Sequence, residues 1–364
     1  MNKDRENNFD WLRMTSMIAV IVLHVSAIYI SSHQSETRQN VNYISLVAAE
    51  IYNCLSRFAV PCFVMLSGAF LLENDNNSDF VSFYKKSFNK IGIPLIVFSL
   101  LYSLYSAFKM FSSGESLRDS IEQATYNLIC GSPFPHMWYS FMTIGLYFLA
   151  PITIMWKQKT SEKAFNRFAF VFLLVGVIGG WISYQGQYAW NIGLVAQYYG
   201  YFLVGYVIKK WAEQTMIKRS LILVVFLIAI SLLLYISYFA YTFEVVNSIR
   251  AEMFGLDILS YFAPWIAIAS VCVFVGFSLI KCNKNSRIVS GLVKYSFYIY
   301  LIHRGILDIV HKGLLVVFGP AFVDKLSGLW MIPIISLFIL LVSLFLSILY
   351  EKINNMLIKV FGLR

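Results

Sequence analysis

The chain has 364 residues, of which 59% are hydrophobic and 13% charged, and its formal net charge is +10. Soluble domains average about 25% charged residues, so this composition excludes a soluble protein and predicts one that crosses a membrane several times. Apolar runs of about twenty residues favour membrane helices over barrel strands, which alternate over about ten residues. We therefore expect an all-α, polytopic helical bundle that forms one membrane-embedded domain over residues 1–364.

Ten apolar segments follow one another along the chain, and each predicts a transmembrane helix. They are residues 11–30, 44–72, 88–111, 137–155, 167–184, 197–211, 220–241, 259–281, 293–311 and 329–350. The sixth is short and the ninth is the most polar. With the N-terminus in the cytoplasm, 20 of the 29 Lys and Arg residues fall in cytoplasmic segments and six in outer ones. This asymmetry predicts cytoplasmic N- and C-termini and explains the basic charge without nucleic acid.

Two segments outside the spans also have helical patterns. Leu117 to Ile129, within the outer segment 112–136, predicts a short helix at the membrane interface. The tail from Glu351 to Arg364 mixes basic and apolar residues and predicts a helix end that rests on the inner surface.

The cysteines carry no metal-binding or disulfide pattern. They are Cys54, Cys62, Cys130, Cys272 and Cys282. Because they show neither a CxxC pair nor the Cys and His spacing of a zinc site, we expect mostly buried thiols and no metal.

The first span holds two ionisable side chains, Arg13 and His24, eleven residues apart. Eleven residues make about three helical turns, so both project from nearly the same face, ~16 Å apart along the axis. Ionisable groups inside a span are costly and often functional. A neutral imidazole can take a proton from a hydroxyl as a general base, or hold an acyl group as a nucleophile. The alternatives are a His24 that packs against a neighbouring helix and an Arg13 that snorkels to the cytoplasmic headgroups.

The second span holds Arg57 near its middle, where a guanidinium needs an anionic or carbonyl partner. Pro61 has no N–H to donate to the Arg57 carbonyl four residues earlier, so we expect a kink there. Gly68 permits a neighbouring helix to approach closely. The alternative for Arg57 is a structural ion pair with Glu50 or Asp308.

Four further residues lie near membrane surfaces. His136 and Trp138 open the fourth span at the outer interface, where they suit either a sugar or an ordinary aromatic belt. Lys86 and Lys90 lie one helical turn apart before the third span, on the cytoplasmic side. They either set topology or hold phosphates as point charges.

The ninth span is rich in polar side chains. Ser296, Ile299 and His303 share one helical stripe. Arg304 and Asp308 are spaced i,i+4, and we expect them to neutralise each other.

With these residues in order, the chain resembles the acyltransferase-3 family of integral membrane acyltransferases over nearly its whole length. The most specific element is the Arg-x10-His pair, here Arg13 and His24. The other elements follow in matching order: the Arg57-Phe58-Ala59-Val60-Pro61 run with Ser67-Gly68, the His136-Met137-Trp138-Tyr139 opening, and the Ser296-to-His303 segment. The chain looks most like the stand-alone branch that includes the enterobacterial common antigen O-acetyltransferase.

The resemblance implies an O-acyltransferase of the inner (cytoplasmic) cell membrane. Its acetyl donor is acetyl-CoA, a co-substrate rather than a permanently bound cofactor, and its acceptor is a hydroxyl of a cell-surface or lipid-linked polysaccharide. Arg13 and His24 carry over as the catalytic pair. Substrate- or acyl-CoA-binding roles are expected for Arg57, Lys86, Lys90, His136, Trp138, Tyr298 and His303. Separately from the resemblance, the positions of Arg57 and Tyr298 suggest that one of them supports the oxyanion. The family often has arginines where Lys86 and Lys90 stand, and lysine lacks the bidentate fork.

Two other functions fit the spans and the buried charges. A transporter or flippase for a sugar or lipid-linked glycan explains these features equally well, but it does not explain the family's residue order. A structural partner in a polysaccharide export complex would tolerate replacement of Arg13 and His24. Release of coenzyme A coupled to the acceptor distinguishes the enzyme from the transporter.

Overall fold

The computed structural model describes residues 7–34, 43–183, 192–215, 219–247, 252–253, 256–280, 286–318 and 327–361. Its α-helices are α1 Asn7–Gln34, α2 Tyr43–Ser56, α3 Ala59–Leu71, α4 Phe80–Ser87, α5 Ile93–Ser112, α6 Leu117–Ile129, α7 Trp138–Lys159, α8 Glu162–Ser183, α9 Ile192–Gln214, α10 Arg219–Asn247, α11 Pro264–Leu279, α12 Arg287–Phe318 and α13 Gly328–Phe361. A 3-10 helix, Asp75–Ser78, precedes α4, and a π-helix, Phe88–Gly92, follows it. Strands β1 Glu252–Met253 and β2 Leu256–Asp257 form one short antiparallel pair. The predicted all-α class is confirmed.

Seven helical stretches among the described residues are long and apolar enough to cross a membrane. They are Asn7–Ser31, Tyr43–Leu71, Phe80–Ser112, Trp138–Lys159, Glu162–Ile182, Ser220–Thr242 and Gly328–Asn354. They correspond to the first five, the seventh and the tenth predicted spans. The other three are helices too, but α11 has only 16 residues and α12 carries charged side chains along its length. The chain is a multi-pass membrane protein, while the count of ten and the cytoplasmic termini stay predictions.

Several helices expose rows of large apolar side chains. On α8, five of them are 48–64% exposed: Phe170, Val171, Leu174, Val175 and Ile178. An exposed apolar surface of this size marks contact with another apolar phase, which for a multi-pass membrane protein is the bilayer. The protein therefore contacts lipid along these faces.

The chain forms two compact units, Met1–Val60 with Ile217–Arg364, and Pro61–Met216. In the first unit α1 is the central helix and contacts α2, α11, α12 and α13. Helix α10 packs on α2 and α11, while α12 packs on α13. Because other helices surround α1, its polar side chains can face protein instead of lipid.

Hydrogen bonds between helices hold the first unit together. The side-chain amide of Asn8 donates to the Phe277 carbonyl at 3.0 Å and joins α1 to α11. The backbone N–H of Gly328 donates to Ser45 Oγ at 2.9 Å and joins the start of α13 to α2. Such bonds between membrane helices contribute about 0.6–2 kcal/mol each.

In the second unit, glycines bring α3 and α9 close together. A Cβ atom added at Gly68 would collide with the Phe202 carbonyl oxygen, and one added at Gly205 would collide with the Met65 carbonyl oxygen. The two backbones are therefore in direct contact, which only a residue without a side chain allows at these positions. The close approach predicted at Gly68 is confirmed.

Two lysines with little exposure lie beyond the end of α3. Lys157 Nζ donates to the Leu72 carbonyl and forms an ion pair with Asp75 at 3.0 Å. Lys209 Nζ, only 2% exposed, forms an ion pair with Glu73 at 3.2 Å. The last carbonyls of a helix lack backbone donors and attract cations, which explains the position of Lys157. The hydrogen bond from Lys157 lowers the pKa of the Asp75 carboxyl.

Both helices predicted outside the spans are present. Helix α6 covers Leu117–Ile129, as predicted, and is capped by Ser116, whose hydroxyl accepts from the Asp119 N–H at 3.1 Å. Helix α13 continues to Phe361 and so includes most of the predicted tail helix. The positions of both helices at membrane surfaces stay predictions.

The described cysteines are free thiols that differ in burial. Cys54 and Cys62 are buried, as expected, whereas Cys130 and Cys272 are partly exposed. Cys282 lies outside the described residues.

Candidate functional site

The predicted site residues divide between the two units. The first unit holds Arg13, His24, Arg57, Tyr298 and His303, and the second holds Lys86, Lys90, His136 and Trp138. The first group includes both residues that were predicted to be catalytic.

Two imidazoles meet in the first unit. The rings of His24 on α1 and His303 on α12 lie 5.2 Å apart between centroids and are tilted by 37°. This separation is within the range of about 4.5–7 Å for paired aromatic rings. Their contact follows from the packing of α1 against α12. The alternative in which His24 packs on a neighbouring helix is thus true in part, but its neighbour is a second titratable ring.

The hydrogen bond of His303 fixes its tautomer. The residue is 0% exposed, and its Nδ1 lies 2.6 Å from the Tyr300 carbonyl oxygen. A carbonyl oxygen can only accept, so Nδ1 carries a proton, and Nε2 of the neutral ring has a lone pair. The imidazole beside His24 therefore has a nitrogen of the kind that accepts a proton.

Arg13 and His24 lie on the same unbroken helix, α1, and both are partly buried. No proline or glycine interrupts α1, so the predicted three-turn spacing holds. Arg13 is therefore about 16 Å from His24 along the axis. At that distance the guanidinium can bind one end of an extended substrate while another part of the same substrate reacts at His24.

The second predicted span is interrupted at Arg57. Helix α2 ends at Ser56 and α3 begins at Ala59, so Arg57 lies in the break. Pro61 lacks the N–H that would bond to the Arg57 carbonyl, and its ring would crowd that carbonyl. The predicted disruption at this position is confirmed.

The partner of Arg57 is a carboxamide. Its Nε and Nη2 donate to Asn53 Oδ1 at 2.9 and 2.7 Å. Its Cζ lies 5.5 Å from the centroid of the Tyr261 ring, a cation–π distance. The predicted need for an anionic or carbonyl partner is met by a carbonyl. Within the described part of the chain, the alternative ion pair with Glu50 or Asp308 is not formed.

Asn53 joins α2 to α1 beside His24, and sequence reasoning overlooked it. It is 1% exposed, and its Nδ2 donates to the Leu23 carbonyl at 3.4 Å and to Ser26 Oγ at 3.2 Å. The available signal was a carboxamide one turn before Arg57 in an apolar span, where an unsatisfied amide is costly.

Two further polar residues of α12 have described partners. The Tyr298 ring packs on Tyr350 of α13 at 5.1 Å between centroids. Asp308 lies 3.9 Å from Lys312. The expected pair between Arg304 and Asp308 and the oxyanion role of Tyr298 both stay predictions.

In the second unit His136 is buried, with 2% exposure. Its ring meets Tyr102 edge-on at 5.3 Å and Phe134 at 5.8 Å between centroids. Trp138 is partly buried and packs on Tyr198 at 6.0 Å. A residue of an aromatic belt faces the interface, so the belt interpretation does not fit His136. The sugar-binding role of His136 and Trp138 stays a prediction.

Lys86 and Lys90 are exposed. Lys86 lies in the last turn of α4 and Lys90 in the π-helix that follows. A π-helix has i→i+5 hydrogen bonds, so the predicted spacing of one α-helical turn does not apply across this segment. Their role toward coenzyme A stays a prediction.

The groups that the structure brings together suit proton transfer and the stabilisation of negative charge. Imidazole serves the first and guanidinium the second. Within the described ranges, no group of three or more His, Cys, Asp and Glu residues is arranged to hold a metal ion.

The protein is a membrane helical bundle in which two imidazoles are in contact. One of them lies on a helix that also carries an arginine, three turns away. These groups are of the kind that carry out acid–base chemistry in a membrane protein. A family model described as an acyltransferase domain matches residues 6–351. The chain belongs to the acyltransferase-3 family. Members of this family are acyltransferases, so the protein is a membrane-embedded acyltransferase, and the transporter or flippase alternative is not favoured. No curated protein and no solved structure matches the chain.

Proposed function

We propose that the protein is an O-acetyltransferase of the inner cell membrane. It moves an acetyl group from cytoplasmic acetyl-CoA to a hydroxyl of a lipid-linked or nascent cell-surface polysaccharide. Family membership supports the acyl transfer. The observation that carries the proposed chemistry is the contact between His24 and His303, 5.2 Å apart between ring centroids.

His24 is the general base in this proposal. It takes the proton of the acceptor hydroxyl while the oxygen attacks the thioester carbonyl. The carbon–sulfur bond then breaks, the imidazolium returns its proton to the thiolate, and the products are the acetyl ester and free coenzyme A. In the variant route His24 attacks the thioester first and passes its acetyl group to the hydroxyl. Both routes need a neutral imidazole.

Arg57 supports the oxyanion that develops on the thioester carbonyl. It uses two N–H donors on Asn53. A guanidinium has five N–H donors, so the remaining ones can serve a developing negative charge. Tyr298 is the other candidate for this role, with one hydroxyl donor.

The donor is held by its phosphates. Arg13 is the basic group on the helix of His24, three turns away. Coenzyme A is an extended molecule whose phosphates and thioester are far apart, which suits this spacing. Lys86 and Lys90, which the loop charges predict to lie on the cytoplasmic side, are exposed and can attract the phosphates of the donor there.

The acceptor glycan enters from the outer side. His136 and Trp138 provide an imidazole and an aromatic face, which suit sugar hydroxyls and sugar rings. The buried environment of His136 among Tyr102 and Phe134 supports a formed site over an open interface.

The test uses membranes that contain the native protein, His24→Ala or the control His311→Ala. His311 lies on α12, and no role in the reaction is assigned to it. Each sample receives radiolabelled acetyl-CoA and the cell's own glycan lipids. We expect label in a base-labile glycan ester with the native protein and with His311→Ala. We expect His24→Ala to reduce the rate by at least about 100-fold, since general acid–base catalysis contributes that much.

Two results would contradict the proposal. Equal label with native protein and His24→Ala, both inserted in equal amount, would remove His24 from the mechanism. Absence of label in every sample with intact acetyl-CoA would remove acetyl-CoA as the donor.

A further inference from the structure

Asn53 uses its full hydrogen-bonding capacity between two helices. A carboxamide oxygen accepts two hydrogen bonds and its nitrogen donates two. Asn53 Oδ1 accepts both from Arg57, at 2.9 and 2.7 Å. Its Nδ2 donates both to α1, to the Leu23 carbonyl at 3.4 Å and to Ser26 Oγ at 3.2 Å. Asn53 therefore links the charged group of Arg57 to the neighbouring helix α1.

The partners also fix which way the carboxamide points. A guanidinium only donates, so the atom that faces Arg57 must be the oxygen. The Leu23 carbonyl only accepts, so the atom that faces α1 must be the nitrogen. Reversing the amide would place N–H against N–H on one side and oxygen against oxygen on the other. The orientation of Asn53 is thus determined by chemistry on both sides.

Ser26 closes a small ring of hydrogen bonds on α1. Its hydroxyl donates to the Leu23 carbonyl at 2.9 Å, so its oxygen is left to accept from Asn53. The residues that Asn53 contacts are the one before His24 and the one two positions after it. Ser26 and Asn53 are both almost completely buried, at 0% and 1% exposure. Water therefore does not compete for these bonds, and breaking them would leave buried polar groups without a partner.

We infer that Asn53 is a positioning residue that couples Arg57 to the turn of α1 that presents His24. The inference rests on the proposed function, in which His24 takes the acceptor's proton. The hydrogen bonds fix the axial position and the rotation of α1 at this turn. They therefore keep the ring of His24 against the ring of His303. The positive charge of Arg57 polarises the carboxamide and strengthens the bonds that Asn53 donates to α1.

Asn53→Asp separates the effect of the bonds to Arg57 from the effect of the bonds to α1. The carboxylate has the shape of the carboxamide and keeps an acceptor for Arg57. On the α1 side it replaces a donor by an acceptor, which faces the Leu23 carbonyl and repels it. The variant therefore retains a charge-paired Arg57 and loses the bond from position 53 to the Leu23 carbonyl, while the Ser26 hydroxyl must turn from that carbonyl to face the carboxylate. We expect α1 to shift at this turn while the rest of the unit stays folded.

A matched control is available on the same helix. Asn8 also joins α1 to a neighbour by a side-chain amide, which donates to the Phe277 carbonyl at 3.0 Å. Asn8→Asp makes the same chemical change 16 residues before His24, about 24 Å along the axis. If loss of any interhelical amide were enough to lower activity, both variants would behave alike.

The experiment measures steady-state transfer and the histidine NMR signals of purified protein in nanodiscs. The chain has 5 histidines, so ¹³C,¹⁵N-histidine labelling gives few signals, which single replacements assign. For Asn53→Asp we expect kcat to fall about 10- to 100-fold, the range known for residues that orient metal-binding side chains, with an unchanged KM for acetyl-CoA. The His24 and His303 signals should shift and the His136 signal should not. Asn8→Asp should change none of these.

A gentler variant keeps the inference testable if Asn53→Asp fails to fold. Ser26→Ala removes one acceptor and leaves the bond from Asn53 to the Leu23 carbonyl. We expect the His24 signal to shift in the same direction by less. A native-like His24 signal in folded Asn53→Asp would overturn the inference, and so would a native-like His24 signal in Ser26→Ala if Asn53→Asp does not fold. An activity loss of Asn53→Asp no larger than that of Asn8→Asp at equal thermal stability would also overturn it.

The outcome separates this inference from the proposed function. Shifted His24 signals in Asn53→Asp, together with full activity of His24→Ala, would support the positioning role and contradict the catalytic one. Unmoved signals together with an inactive His24→Ala would contradict the positioning role alone.

Discussion

His24 and His303 lie close enough for a proton taken by one imidazole to be stabilised by the other. His303 commits Nδ1 to the Tyr300 carbonyl, at 2.6 Å, so the nitrogen left to interact with a proton is Nε2. In a low-dielectric interior, a charge that develops on His24 during the reaction depends strongly on such a neighbour. His303 is therefore expected to affect turnover more than substrate binding.

His303→Asn tests this role. Asparagine can still donate a hydrogen bond toward the Tyr300 carbonyl, but it has no basic nitrogen. We expect kcat to fall about 10- to 100-fold with an unchanged KM for acetyl-CoA. Steady-state transfer by the purified protein measures both constants, with His311→Asn as the control on the same helix. A native kcat for His303→Asn would show that His24 works without its neighbour.

Single residues differ in how far the sequence reveals them. Arg13 and His24 could be predicted to share a face because both lie on one helix, and helical periodicity is a local property. The role of Asn53 could not be predicted, because its hydrogen bonds depend on where α2 packs against α1. The contact between His24 and His303 could not be predicted either, because it depends on how α1 packs against α12.

At the scale of helices, the contact of α3 with α9 depends on glycine. The carbonyl oxygens of Phe202 and Met65 occupy the space where the side chains of Gly68 and Gly205 would begin. Backbone atoms in two regular helices cannot yield as a flexible side chain can. Any larger residue at these positions must therefore separate the helices.

Gly68→Ala is expected to destabilise the second unit. Inserting a methyl group into a tight contact costs about 1–3 kcal/mol, and we expect a lower midpoint of thermal unfolding in detergent. Gly313→Ala is the control, because a Cβ atom there meets nothing within 4 Å and alanine favours helix. An equal or higher midpoint for Gly68→Ala would contradict the close approach of α3 and α9.

Helix boundaries that follow local rules could be predicted, and the others could not. Pro61 marks the break between α2 and α3, and α6 follows its apolar pattern and its Ser116 cap. The π-helix at Phe88–Gly92 has no comparable signal. The charges of α12 made the ninth span the most polar of those predicted, and α12 is not among the seven described stretches that are long and apolar enough to cross a membrane.

At the scale of the whole molecule, composition determined the class and loop charges determined the predicted topology. The division into two units could not be predicted, because residues 1–60 and 217–364 join across a long stretch of chain. Contacts between distant segments leave no periodic trace in the sequence. The central place of α1 in the first unit is a property of the same kind.

Cysteine labelling tests the predicted topology. In a variant without native cysteines, Asp119→Cys on α6 and Lys86→Cys on α4 both place a thiol at an exposed position. We expect a membrane-impermeant maleimide added to intact cells to label Asp119→Cys alone. Lys86→Cys should react only after the membrane is opened. The reverse pattern would place the N-terminus outside and contradict cytoplasmic access for the donor.

The most direct test of the central claim is acceptor-dependent release of coenzyme A by purified protein in nanodiscs. We predict that the native protein releases one free thiol for each acetyl ester formed on the glycan lipid. Release should fall to background when the acceptor is omitted, or when His24→Ala replaces the native protein. Ester formation at the native rate by a correctly folded His24→Ala protein would contradict the claim.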